Sequence, residues 1–173
     1  MFSLLNKLII SKKVDFRKGE IWMLGTQVCL IPPDVYFEII KDLEKTGNQQ
    51  FIYDASLKSA KNWISKVIKS TKKKSKNEQI KLIPKLLELL ALGKVELLEV
   101  DLDKNFFKVA LYNSLTAELF GEHSSPVDFQ FAGYLAGTFS FVLGIEMGCV
   151  ENKCLSCGAE RCEFIVTGGE KNV

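Results

Sequence analysis

Four of the five cysteines, Cys149, Cys154, Cys157 and Cys162, fall within 14 residues. Thiolates crowded this way serve metals, redox chemistry or a dense core. Cys154 and Cys162 stand symmetrically about Gly158. A turn centred there sets them opposite each other across two strands. Opposed Cβ atoms lie about 4.5 to 5.5 Å apart, near enough to share one ion. Glu151, three residues before Cys154, adds a carboxylate. Several readings stay open. Cys154-x-x-Cys157 has the spacing of half a zinc knuckle, but a second pair normally lies a dozen or more residues away. The spacing matches neither common ferredoxin run. A thioredoxin-type pair enters a helix, whereas Gly158 to Phe164 reads as turn and strand. Buried cysteines acting as small hydrophobes complete the set.

The remaining chemistry is sparse. His123 is the only histidine, which removes two-imidazole mechanisms and the HExxH zinc pattern. The basic residues are 21 lysines against Arg17 and Arg161 alone, so planar phosphate clamps have few candidates. Neither a phosphate-cradling glycine loop nor a dinucleotide fingerprint occurs. A net charge of +2 lacks the basic excess of a dedicated nucleic-acid binder. The lysines from Lys69 to Lys76 carry no interleaved aromatics and read as a solvated face. At 173 residues, 47% hydrophobic and 25% charged, the chain is expected to fold as one domain without disulfides.

The elements follow from periodicity. Val14 to Arg17 and Ile21 to Ile31 read as two strands, with Gly25 as a bulge in the second. Pro32-Pro33-Asp34 starts a helix with Tyr36, Ile39, Ile40 and Leu43 on its apolar face, ended by Gly47. A second helix over 49–72 carries the stripe Ala60, Trp63, Ile64, Val67 and Ile68. A third spans 78–92, with a kink at Pro84 and Gly93 as C-cap. Val95 to Val100 and Phe106 to Leu111 form a hairpin, followed by a strongly apolar helix over 127–143. Strands over 145–151 and 161–166 close the pattern. This order predicts an α+β fold with helices on an antiparallel sheet.

The N-terminus has no basic n-region or small-residue cleavage site, so no secretory signal is expected. The longest uncharged stretch, Phe129 to Ile145, has 17 residues with Gln130 and three glycines, which reads as a core helix rather than a membrane span. Cysteines without an export signal predict a cytoplasmic protein. Gly133, Gly137 and Ser140 share one face of that helix, leaving room for close approach by a neighbour.

The motif Glu151-x-x-Cys154-x-x-x-Gly158-x-x-x-Cys162-x-Phe164, with Pro126-Val127-Asp128, Gly133-Tyr134-Leu135-Ala136-Gly137 and Asn113-Ser114 followed by Ala117, resembles the 4-vinyl reductase (4VR) domain family. The resemblance is clear over about residues 110 to 166, and the element order extends it to a single domain over 1–173. It implies the fold of TRAPP tethering subunits, the ligand-binding fold of NO-signalling and Golgi-transport proteins. It also relates the chain to the aromatic-sensing input domains of phenol- and xylene-responsive activators. In the sensor members a zinc near the ligand pocket is held by Cys, Glu, Cys and Cys. The last three carry over to Glu151, Cys154 and Cys162, and the first falls on Asp128, a departure from thiolate to carboxylate. Cys149, Cys157 and His123 are the alternative ligands.

The resemblance therefore implies a zinc-containing, non-catalytic sensor or carrier of a small apolar or aromatic ligand, homodimeric, acting through a signalling or assembly partner protein. Its pocket is expected among Phe129, Tyr134, Gly137, Phe141 and Trp63. The alternatives are an accessory protein or reductase of tetrapyrrole or other hydrophobic-cofactor metabolism, and a scaffold subunit for protein assembly.

Overall fold

Alternation of apolar residues along β4 (Lys94–Asp101) and β5 (Phe106–Tyr112) puts Val95, Phe107, Val109 and Leu111 on one buried face. In the computed structural model, which describes residues 14–70 and 75–168, these strands pair antiparallel in a four-stranded sheet. Its order is β4-β5-β7-β6, with β6 at Met147–Lys153 and β7 at Cys162–Gly168. Separate from it is a small antiparallel sheet of β1 (Val14–Arg17), β2 (Glu20–Met23) and β3 (Thr26–Val28). The helices are α1 (Pro33–Lys45), α2 (Gln49–Ser70), α3 (Lys76–Leu87), α4 (Leu115–Phe120) and α5 (Phe129–Leu143). This is the expected α+β architecture, and no described helix is long and apolar enough to cross a membrane.

Helix α5 lies at the centre. Phe131, Leu135 and Phe139 are fully buried, with the Phe139 ring 4.3 Å from Phe107 and the Phe131 ring 5.2 Å from Phe164 of β7. Each such side chain contributes about 1.5 to 3 kcal/mol through burial. Gly133 and Gly137 look the other way, onto the backbone of α2. A Cβ at Gly133 would collide with the Tyr53 carbonyl oxygen; one at Gly137 would collide with that of Leu57 and stand 2.9 Å from Ala60 Cβ. The glycine face is thus a helix–helix seam. Its contact with α2 offsets the ~1 kcal/mol that each glycine costs inside a helix.

The local readings differ from the structure at four points. Gly25 is no bulge: with Leu24 it forms a two-residue turn between Met23 and Thr26, at φ 79° and 53°. Left-handed backbone costs a leucine about 1 to 2 kcal/mol, which hides the turn from a reading of residue types. Ile39 is 53% exposed, because α1 buries Ile40 instead. Gly93 does not cap α3. That helix ends at Leu87 in a short 3-10 turn closed by Ala91 at φ 57°, and Gly93 is needed where a Cβ would lie 2.6 Å from the Tyr112 carbonyl oxygen. Helix α4 has no counterpart in the sequence reading, being a six-residue element with little periodicity. The lysine run falls partly on 71–74, outside the described residues.

On the outer sheet face Glu163 is only 2% exposed and is ringed by Lys108 Nζ at 2.9 Å, Arg161 Nη2 at 2.8 Å and Lys153 Nζ at 3.3 Å. Lys108 foremost, with Arg161 and Lys153, holds its carboxyl down to about 2 against the opposing effect of burial.

Gly137→Ala tests the seam. It gains about 1 kcal/mol of helix propensity, yet overpacking of about 1 to 3 kcal/mol should leave the variant less stable in urea denaturation. A variant as stable as the parent would mean that α2 and α5 are not in contact there.

Candidate metal centre

The centre is built where four chain segments meet. At the end of β5, Asn113 turns the chain at φ 52° so that Ser114 can cap α4, its Oγ accepting from the Ala117 amide at 3.1 Å. The same hydroxyl donates to Asp128 Oδ2 at 2.7 Å. Asp128 is the N-cap residue of α5 but makes no side-chain cap bond. Its buried carboxylate turns instead toward the β6–β7 hairpin. There Glu151 accepts from the Asp128 amide at 2.9 Å.

The hairpin supplies the thiols as the symmetry about Gly158 predicts. Lys153 pairs with Glu163, so Cys154 and Cys162 come next on the two arms. Their sulfurs lie 4.0 Å apart, both buried, above a 3-10 turn at Leu155–Cys157 that Gly158 closes at φ 85°. The Leu155 amide donates to Cys162 Sγ at 3.3 Å.

One donor atom from each of Asp128, Glu151, Cys154 and Cys162 lies within 4.8 Å of the others. Those are the four residues carried over in the sequence reading. Cys149 shares the inner face of β6 but stays outside the group, and its amide donates to the Tyr53 hydroxyl at 3.0 Å. Cys157 is exposed in the turn. His123 pins the loop before α5 to α1 through Glu44 Oε1 at 3.1 Å.

The electrostatics favour a cation. Burial, followed by the charges of Asp128 and Cys154, pushes the Glu151 carboxyl up to about 9. Burial likewise raises Asp128, partly offset by the Ser114 hydrogen bond. Cys154 is lowered to about 4, chiefly because the Cys162 thiol donates to it, and that same bond raises Cys162. Among the described residues none of the four forms an ion pair with a lysine or arginine. Glu151 Oε1 is buried without a hydrogen-bond partner. An orphaned oxygen, two thiols and a second carboxylate fit a four-coordinate divalent ion of borderline softness.

The family comparison bears on these same residues. Residues 107–168 match the model of the vinyl-4-reductase (4VR) domain. This stretch of the chain is a 4VR domain. All four donors lie within the 4VR stretch. No curated protein matches the sequence. Among solved structures, the phenol-responsive sensory domain of the transcription activator PoxR, crystallised with phenol, aligns at a TM-score of 0.78 and 17% identity, covering 97% of this chain and 92% of that one. A vinyl-4-reductase family protein from Methanocaldococcus jannaschii aligns at 0.56 and 19% identity, covering 83% and 85%. A trafficking protein particle complex subunit 3 from Naegleria fowleri, covalently bound to palmitic acid, aligns at 0.61 and 15% identity, covering 80% and 93%. At these identities the likeness is one of fold.

The expected pocket residues do not converge. Trp63 and Phe141 meet in a second apolar cluster between α2, α3 and α5. Gly137 is spent on the α2 seam, Tyr134 takes a hydrogen bond from Gln130 at 3.3 Å, and Phe129 sits half-buried at the start of α5. Sequence reasoning misses Ser114 as a partner of Asp128. The available signal is the Asn113-Ser114 pair, whose capping role is visible in sequence but whose second bond is not.

Because Glu151 and Cys162 are held protonated without a metal, binding must displace their protons. Zinc affinity, read by chelator competition, should rise with pH from 6 to 9, by about tenfold per unit for each proton displaced. A flat profile would mean that these two groups are not ligands.

Proposed function

We propose that this chain is a zinc-containing, non-catalytic binding domain for a small, largely apolar or aromatic molecule, acting as a sensor or carrier. The observation that carries this reading is the fold likeness to the PoxR sensory domain over 97% of the chain, in a structure solved with phenol. The 4VR match and the four converging donors support the metal. Asp128, Glu151, Cys154 and Cys162 would hold zinc, which when bound supplies a fixed cross-link between the start of α5 and the β6–β7 hairpin. Four protein ligands leave no open position for substrate, so the role is structural. Ser114 orients the Asp128 carboxylate, and the Leu155 amide orients the Cys162 sulfur. Placement in the cytoplasm follows from the reduced thiols that this role requires.

A homodimer completes the reading. Leu30, Ile31, Val35 and Ile39 form an exposed apolar stripe before and along α1, flanked by Asp34, Glu38 and Asp42 on one side and Lys41 and Lys45 further on. An antiparallel second copy would cover the stripe and oppose acidic to basic residues.

Untagged protein is expected to hold one zinc per chain by elemental analysis, to lose it in Cys154→Ser, to sediment as a dimer, and to melt at a higher temperature when phenol is added. Binding at a hundredfold excess over Kd stabilises by about 2.7 kcal/mol, so the shift is readable. Absence of zinc from the parent would refute the metal. No shift with phenol or toluene would refute the binding role.

A further inference from the structure

Between Val14 and Val28 only one residue is buried, and it is the residue least suited to its backbone: Leu24, at φ 53° and 7% exposed. Strain of this kind persists where the surroundings hold it, and it gathers at ligand clamps. Leu24 is held by its side chain, which enters the cluster of Ile64 and Val67 from α2 and Leu86 from α3, walled by Trp63 and Phe141. The rest of the small sheet stands half-buried or exposed, and it pairs with no strand of the large sheet. The turn therefore works as a plug in an apolar cleft with two aromatic walls.

A second observation bears on the same place. Thr26 Oγ1 is buried and has no hydrogen-bond partner. Thr26 pairs with Met23 across the turn, and cross-strand partners face the same side. Met23 packs on the cluster, so the Thr26 hydroxyl faces it too. An unsatisfied hydroxyl beside an apolar cleft suits a ligand with one polar group on an apolar ring, since a buried polar atom left alone is costly.

We infer that the cleft between α2, α3 and the last turn of α5 is the ligand site, that Leu24 fills it in the free protein, and that its ligand is a monohydroxylated aromatic molecule whose ring replaces the Leu24 side chain and whose hydroxyl bonds Thr26. This rests on the reading of the chain as a binding domain and gives that reading a location. Phe129, Tyr134 and Gly137 take no part. Ligand binding and release of the β2–β3 turn are one event, because ring and leucine compete for the same space. Trp63 and the hairpin's own Trp22 make the event visible.

The probe is phenol, with toluene as the control lacking the hydroxyl. In the parent protein, phenol should shift the NMR signals of the Leu24 methyls and the Trp63 indole. Leu24→Gly removes the plug and suits the left-handed backbone; it should bind phenol at least about tenfold more tightly than the parent by calorimetry. Adding Thr26→Val should erase the preference for phenol over toluene. Phenol binding that leaves Leu24 and Trp63 unshifted, or is unchanged by Leu24→Gly, overturns the location and leaves the binding role standing. If neither phenol nor toluene binds parent or variant, both fall. Should Leu24→Gly fail to fold, the parent spectra decide alone.

Discussion

Four acidic donors are held within 4.8 Å of one another, and among the described residues no basic side chain is paired to them. That is the constraint on which the C-terminal half of the molecule turns. Protons can relieve it, and in the metal-free chain they do, on Glu151, Asp128 and Cys162. A divalent cation relieves it better, because one charge of +2 answers all four donors and Glu151 Oε1 gains the partner it lacks. The surroundings are arranged accordingly. Asp128 forgoes its helix cap, Ser114 and the Leu155 amide hold two of the ligands, and Gly158 lets the hairpin close.

The rest of the fold isolates this centre from the remaining charge. Lys108, Lys153 and Arg161 are gathered on the opposite sheet face around Glu163. Alternation along β7 does this with adjacent residues, sending the Cys162 side chain inward and the Glu163 side chain outward. Above the sheet, α5 sits between two demands. One face gives large side chains to the core, and the other gives only glycine to α2. A helix so constrained fixes Asp128 at its first turn.

Much of this is legible in the residues. Strand alternation, helix stripes and the thiol symmetry about Gly158 are local, and the structure follows them closely. The candidate metal ligands are legible because the family motif supplies Asp128, which lies 23 residues before Glu151 and which no spacing rule would join to it. The failures share a cause. Leu24, Ala91 and Asn113 adopt left-handed backbone that their types disfavour or only tolerate, and tertiary packing holds them there. The expected pocket fails for a related reason: aromatic residues crowd α5 in sequence, but which face each occupies depends on what α2 and the sheet leave free.

X-ray absorption at the zinc edge of the loaded protein tests the central claim most directly. The account requires two sulfur scatterers at about 2.3 Å and two oxygen scatterers at about 2.0 to 2.2 Å. Three or four sulfurs would bring Cys149 or Cys157 into the site, displace Asp128, and contradict the centre described above.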